Sequence, residues 1–264
     1  MPNQHGEFIW YELLTDDSNA ALTFYSAILG WQANDSDKPR MDYRNLHALD
    51  GDTGEARDIG GLMQLTDEMR KAGAKPVWLG YIGVDDVDRT IANIIAAGGK
   101  VQMPATDIPH IGRVAMVSDP QGTPFYVMRA VSNKTSQAFA ADKPRVGHCA
   151  WNELVTSAPQ AAKTFYFQTF GWDKDGELDM GPMGKYEFIR HKGVFGAVMP
   201  KPEELPRPMW QYYFRCADID LACKRIIDNG GELLRGPDEI PGGDFTVNGV
   251  DPQGALFALV GKRK

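Results

Sequence analysis

The sequence predicts an α+β fold made of two tandem domains, each a strand-helix-three-strand module used twice. The first observation is a repeat. The run WYELLT at Trp10–Thr15 leads on to Phe24, Tyr25, Gly30 and Trp31. WNELVT at Trp151–Thr156 leads on to Phe165, Tyr166, Gly171 and Trp172, displaced by 141 residues. The second is another pair, DPQG at Asp119–Gly122 and at Asp251–Gly254, displaced by 132. The third is length, since 264 residues suit two domains of ordinary size. Copies this similar must fold alike, so the repeat sets the domain count.

Each copy opens on a short aromatic-rich strand, residues 8–14 and 149–155. A helix follows. Asp16, Asp17 or Ser18 can cap the first, and Ala21, Phe24, Tyr25, Ile28 and Leu29 share one face before Gly30 stops it. In the second, Ser157 can cap and Pro159 suits the first turn, with Ala162, Phe165, Tyr166, Thr169 and Phe170 tracing the matching face. Strand pieces ending in residues 59–65 and 194–199 come next, and the first copy has extra polar length at 50–57 that reads as a hairpin excursion.

The pattern then restarts. Strands at 78–84 and 210–216 precede helices carrying Val87, Ile91, Ile94 and Ile95, or Ile219, Cys223, Ile226 and Ile227, on one face. Three strand pieces close each half, turning at DPQG, where Pro and Gly suit a tight turn. Residues 132–145 are polar and aperiodic, so the expected organisation is a first domain at 5–131, a linker at 132–145 and a second domain at 146–262. The proline-rich stretch 200–208 reads as a connector or rim.

Hydrophobic residues make up 43% and charged residues 24%, enough apolar material for two cores. No apolar run is long enough to span a membrane, and the first residues do not read as a signal peptide. Cys149, Cys216 and Cys223 lack CxxC spacing and read as free thiols in a reducing cytosol, so a cytoplasmic location is expected. A net charge of −7 without a basic cluster outside the 262–264 tail argues against nucleic-acid and anionic-membrane partners. A small-molecule partner is expected. Fused copies can satisfy each other's pairing, which favours a monomer (an internal pseudo-dimer) or a weak homodimer.

The Phe24-Tyr25 helix, Gly30-Trp31, the Val84-Asp85 strand end and the DPQG turn, all repeated, make the chain resemble the vicinal oxygen chelate superfamily. That superfamily holds glyoxalase I, bleomycin-resistance proteins, fosfomycin-resistance enzymes and extradiol dioxygenases. The resemblance implies that two βαβββ modules form each cup-shaped mixed half-barrel, and that metal-dependent members take ligands from four strands. Placed on this sequence, the first-strand ligand position falls on Trp10 and Trp151. The second-module position falls on Leu79 and Gln211, and the last-strand position on Tyr126 and Ala258. The fourth-strand runs carry no carboxylate or histidine. A divalent metal needs several oxygen or imidazole donors. Only Gln211 and Tyr126 could supply one, so no metal centre and no cofactor is expected.

If Trp10 marks the cup interior, alternation turns Glu12 the same way, as it does Glu153 beside Trp151. A carboxylate there would serve as a general base or ligand anchor, its pKa raised by desolvation. It would equally serve as a structural tie between strands, with Arg215 available to Glu153. The first cup would show Trp10, Glu12, Tyr81, Tyr126 and Met128. The second would show Trp151, Glu153, Gln211, Tyr213 and Arg215. Aromatics with a few polar groups suit either a small-molecule pocket or a filled interior. His5, His47, His110, His148 and His191 show no metal-ligand spacing. Two functions follow: a protein that binds a small organic molecule in aromatic-lined cups without the metal quartet, or a superfamily lyase or oxygenase using Glu12 or Glu153 as base, with or without a weakly held metal.

Overall fold

The computed structural model describes residues 3–34, 42–51, 53–140 and 143–264. The first half runs β1 (Phe8–Thr15), α1 (Ser18–Leu29), β2 (Gln32–Ala33), β3 (Tyr43–Leu49), β4 (Ala56–Gln64) and a short α2 (Asp67–Lys71). It continues through β5 (Val77–Gly83), α3 (Val87–Ala96), β6 (Lys100–Ile108), β7 (Gly112–Ser118) and β8 (Pro124–Ala130). The second half repeats this as β9 (Cys149–Thr156), α4 (Pro159–Phe170), β10 (Asp173–Asp179), β11 (Lys185–His191) and β12 (Gly193–Pro200). β13 (Met209–Arg215), α5 (Ile219–Asp228), β14 (Glu232–Ile240), β15 (Asp244–Val250) and β16 (Leu256–Gly261) complete it.

The strands form two mixed eight-stranded sheets with the same order, β2-β3-β4-β1-β5-β8-β7-β6 and β10-β11-β12-β9-β13-β16-β15-β14. The two βαβββ modules of each half thus make one sheet, as the repeat predicts. β1 runs parallel to β4 with Glu12 opposite Gly61, and β12 runs parallel to β9 with Ala197 opposite Glu153.

Local signals account for the element ends. Asp17 caps α1 by accepting from the Ala20 amide, and Gly30 ends it in the left-handed conformation at φ 73°. Ser157, expected to cap α4, does not. Ala158 holds the cap position without a side-chain bond, and Pro159 opens the helix, where a missing N–H costs nothing. The excursion expected at 50–57 is shorter, since β4 already begins at Ala56, and Asp50 accepts from the Thr53 amide and the Arg57 guanidinium between β3 and β4. The stretch expected as a plain linker is partly anchored. Phe139 bridges to Cys149 and Ala138 is fully buried.

Two compact units emerge, and each draws on both halves. One contains Met1–Ile9, Leu79–Ser136 and Trp151–Gln211; the other contains Trp10–Trp78, Gln137–Ala150 and Tyr212–Lys264. The repeated motifs carry this exchange. In one unit the Tyr25 hydroxyl donates to Asp251 of the other half's DPQG turn (3.0 Å) and accepts from the Trp78 indole (3.0 Å). In the other unit Tyr166 donates to Asp119 (3.2 Å) and accepts from Trp210 (3.0 Å). Trp31 donates to the Gly147 carbonyl and Trp172 to the Gly6 carbonyl, both at 2.8 Å. Around these bonds lie the aromatic cores. Tyr25, Trp31, Phe214 and Phe257 fill one, and Tyr166, Trp172, Phe8 and Phe125 fill the other.

Candidate functional site

Alternation sorts the first strand of each half into a core face and an opposite face. Tyr11 and Leu13 are fully buried, with Tyr11 against Tyr212 and Phe214, so Trp10 and Glu12 lie on the side away from that core. The counterparts are Trp151 and Glu153. Trp151 and Glu153 share a face, joined through Tyr186, as alternation along the strand requires.

On this opposite face the structure adds a residue the sequence reading passed over. The Trp151 indole N–H donates to the Tyr186 hydroxyl at 2.7 Å, and that hydroxyl donates to Glu153 at 2.7 Å. In the first copy Trp10 donates to Tyr43 at 2.9 Å. Tyr43 and Tyr186 stand on equivalent strands, but they are offset by 143 rather than 141 residues, so a gapless comparison does not align them. A tyrosine at the start of both third strands was the available signal. Gly61 makes the first pair possible, because a Cβ there would sit 2.1 Å from the Tyr43 oxygen.

Both carboxylates are buried, Glu12 with 2% and Glu153 with 6% of its surface exposed. Trp10, Trp151, Tyr43 and Tyr186 are half-buried, leaving part of each ring accessible. A tryptophan and a tyrosine, each with its polar edge occupied, present flat apolar surface to whatever lies against them.

The other expected residues fall as follows. Tyr81 and Tyr126 pair across β5 and β8 and stack at 4.2 Å between ring centroids, 18° from parallel. Tyr213 lies opposite Ala258, so the second half has no such stack. Gln211 is half-buried on β13. Arg215, expected to be available to Glu153, donates to Asp244 at 2.8 Å, which keeps that carboxyl below the usual range. The acceptor of the Tyr186 hydroxyl is Glu153 itself, so a tyrosine supplies the bond for which an arginine was expected.

Three of the five histidines are engaged by neighbouring groups. His47 meets Asp58 at 2.7 Å, His5 meets the Thr169 carbonyl at 2.9 Å, and His148 is fully buried with Nδ1 on the Gln137 carbonyl at 2.7 Å. Burial holds the His148 pKa below its ordinary value. Among the described residues no three His, Cys, Asp or Glu side chains come together as a metal site would need. The groups at the expected ligand positions are indole, alkyl, phenol and amide, and none is the carboxylate or imidazole that a divalent cation favours. No helix is long and apolar enough to cross a membrane among the described residues.

Comparisons with known proteins agree with this architecture. The sequence pattern of the Glyoxalase/Bleomycin resistance protein/Dioxygenase superfamily matches residues 8–127 and again 145–259. CFP32 of Mycobacterium bovis, provisionally named a glyoxylase, is 30% identical over 254 residues, covering 95% of this chain and 93% of that protein. The anthracycline biosynthesis protein DnrV of Streptomyces peucetius is 28% identical over 269 residues, covering 97% and 93%. Among solved structures, the Mn(II)-bound glyoxalase from Novosphingobium aromaticivorans superposes with a TM-score of 0.65 at 18% identity, over 98% of this chain and 83% of that one. At that identity the likeness concerns the fold. With the family pattern found once in each half, the chain belongs to the Glyoxalase/Bleomycin resistance protein/Dioxygenase superfamily.

Proposed function

We propose that this protein binds a small organic molecule against the aromatic faces of its sheets, without the superfamily's usual metal quartet. The observation that carries the reading is the Trp151–Tyr186–Glu153 relay. It places two half-exposed rings over a buried carboxylate and directs every polar edge inward. Such a surface favours a flat, largely apolar ligand, held by ring contact and oriented by few hydrogen bonds. The relationship to a protein named for anthracycline biosynthesis agrees with an aromatic ligand. The bonds by which each half completes the other support a monomer.

The test is a titration of the purified chain with planar aromatic compounds, read by quenching of tryptophan fluorescence, before and after chelator treatment. Saturable binding that survives chelation and is lost in Trp151→Ala supports the reading. Absence of binding, or binding that needs a restored metal, refutes it.

A second reading has its own observation. The Tyr186 hydroxyl points its proton at Glu153, a geometry that suits a base able to pass a proton to and from a bound substrate. On that reading Glu153→Gln keeps ligand affinity and abolishes turnover. If Glu153→Gln loses several kcal/mol of stability instead, the carboxylate is a strand tie.

A further inference from the structure

Two stretches of the chain stand outside the repeat: the extra polar length of the first copy at 50–57, and residues 132–145 between the copies. The structure brings them together. Arg57 Nη1 donates to the side-chain oxygen of Gln137, and Arg145 Nη1 donates to the same oxygen at 3.3 Å. An amide that receives two guanidinium N–H groups turns its oxygen to them, because its nitrogen can only donate. All three residues belong to one compact unit.

The neighbours of that oxygen hold the arrangement in place. Arg57 Nε donates to Asp50 at 2.8 Å, which fixes the guanidinium and leaves Nη1 directed at Gln137, while Glu55 lies 3.8 Å from Nη2. The Gln137 main chain is fastened separately. The fully buried His148 donates from Nδ1 to its carbonyl at 2.7 Å, and the next carbonyl, that of Ala138, accepts from the Cys149 amide at 3.1 Å. Gln137 itself is exposed, so its side chain can swing into water without unfastening the segment that carries it.

Two guanidinium groups aimed at one point within reach of solvent mark a place for negative charge. An Arg hydrogen bond to an anionic oxygen is roughly twice as strong as one to a neutral acceptor. An oxyanion also offers a separate oxygen to each guanidinium, where Gln137 offers one oxygen to both. In the second half β12 begins at Gly193, two residues after β11 ends at His191, which leaves no room for a counterpart of the Asp50–Arg57 segment.

We propose that Arg57 and Arg145 form a binding site for a phosphate- or sulfate-type oxyanion, with the Gln137 amide as the neutral group that closes it when no anion is bound. The proposal goes beyond the aromatic-ligand reading and does not rest on it.

The test is calorimetric titration of the whole chain with inorganic phosphate, at an ionic strength held constant with chloride. Two charge-assisted hydrogen bonds lead to saturation at roughly millimolar phosphate. Arg145→Gln should weaken binding about tenfold or more, and Arg57→Lys, which keeps the charge but loses the planar fork, should weaken it less. Gln137→Ala removes the competing acceptor and should tighten binding about twofold or more. Burial and the Arg145 and Arg57 charges hold the His148 pKa down, against Asp50. Phosphate bound between these cations should therefore raise it, read from the imidazole proton resonance that His148→Gln removes. This readout serves where an arginine variant fails to fold. Phenyl phosphate as a second probe distinguishes the sources of the anion. Binding about tenfold tighter than phosphate assigns the site to the phosphoryl group of an organic ligand, and equal affinity assigns it to the free anion. No saturation below about 20 mM phosphate, affinity indifferent to Arg145→Gln, or no gain in Gln137→Ala overturns the proposal and leaves the aromatic-ligand reading standing.

Discussion

Removing one hydroxyl should reveal how firmly the two halves are joined. Tyr25 has 2% of its surface exposed, donates to Asp251 and accepts from Trp78. Tyr25→Phe keeps the ring and deletes both bonds. A hydrogen bond to a carboxylate contributes about 1.5–3 kcal/mol, and an orphaned buried N–H on Trp78 costs about 1–3 more. The two losses overlap where the site relaxes, so the expected destabilisation is about 3 kcal/mol, a fall in midpoint of roughly 6–12 °C for a chain of this size. Tyr166→Phe should cost a similar amount, since Asp119 and Trp210 surround it in the same way.

The same bond bears on pH. Burial pushes the Asp251 carboxyl above its usual range, while the Ala255 and Gln253 amides and the Tyr25 hydroxyl pull it back. With the folded pKa raised, the folded chain binds a proton where the unfolded chain does not. This group therefore adds stability on acidification through that window and opposes folding above it. Tyr25→Phe should widen the window upward. The assay is urea unfolding of wild type, Tyr25→Phe, Asp251→Asn and the double variant at several pH values. Coupling of about 1–2 kcal/mol is expected between the two sites. A Tyr25→Phe loss below about 1 kcal/mol, or additivity within about 0.3 kcal/mol, would refute the claim that this bond fastens one half to the other.

Two further outcomes are expected. Burial lowers the His148 pKa, so the unfolded chain takes up a proton that the folded chain refuses. Stability should drop as the pH falls below the ordinary histidine value of 6.5, and His148→Gln should flatten that decline when urea midpoints at about pH 7.5 and about pH 5.5 are compared. Gly61→Ala would place a methyl group 2.1 Å from the Tyr43 oxygen and 3.1 Å from Trp10 Nε1. It should break that pair, shift the Trp10 emission and cost about 1–3 kcal/mol; an unchanged spectrum would mean that Tyr43 does not hold Trp10.

Much of the scaffold was legible because it is written twice. The β1 and β9 strands, the α1 and α4 helices with their terminal Gly30 and Gly171, and the two DPQG turns could be placed from caps, turn residues and spacing alone. What could not be read was which copy each residue serves. Tyr25 and Asp251 both looked like core and turn residues, and nothing local in either shows that they meet across 226 positions of chain. The Glu12 and Glu153 parity followed from period-two alternation. The tyrosine that binds Glu153 did not, because the third strands are displaced from the first-strand register by two residues. Gln137 to Ala140 read as linker for its polarity, yet Ala138 is fully buried and Phe139 bridges to Cys149, a tertiary pairing that composition does not encode.

We propose that this scaffold holds no catalytic metal, since Trp10, Trp151, Leu79, Gln211, Tyr126 and Ala258 stand at the positions where the superfamily's ligands are expected. Elemental analysis of the protein, purified without chelator or metal-affinity tag and then dialysed against Mn, Fe, Ni and Zn in turn, addresses it most directly. The account predicts metal well below one ion per chain in every case, because indole, alkyl and phenol groups stand where carboxylate and imidazole would be needed. One tightly held ion per half, lost together with ligand binding on chelation, would contradict it.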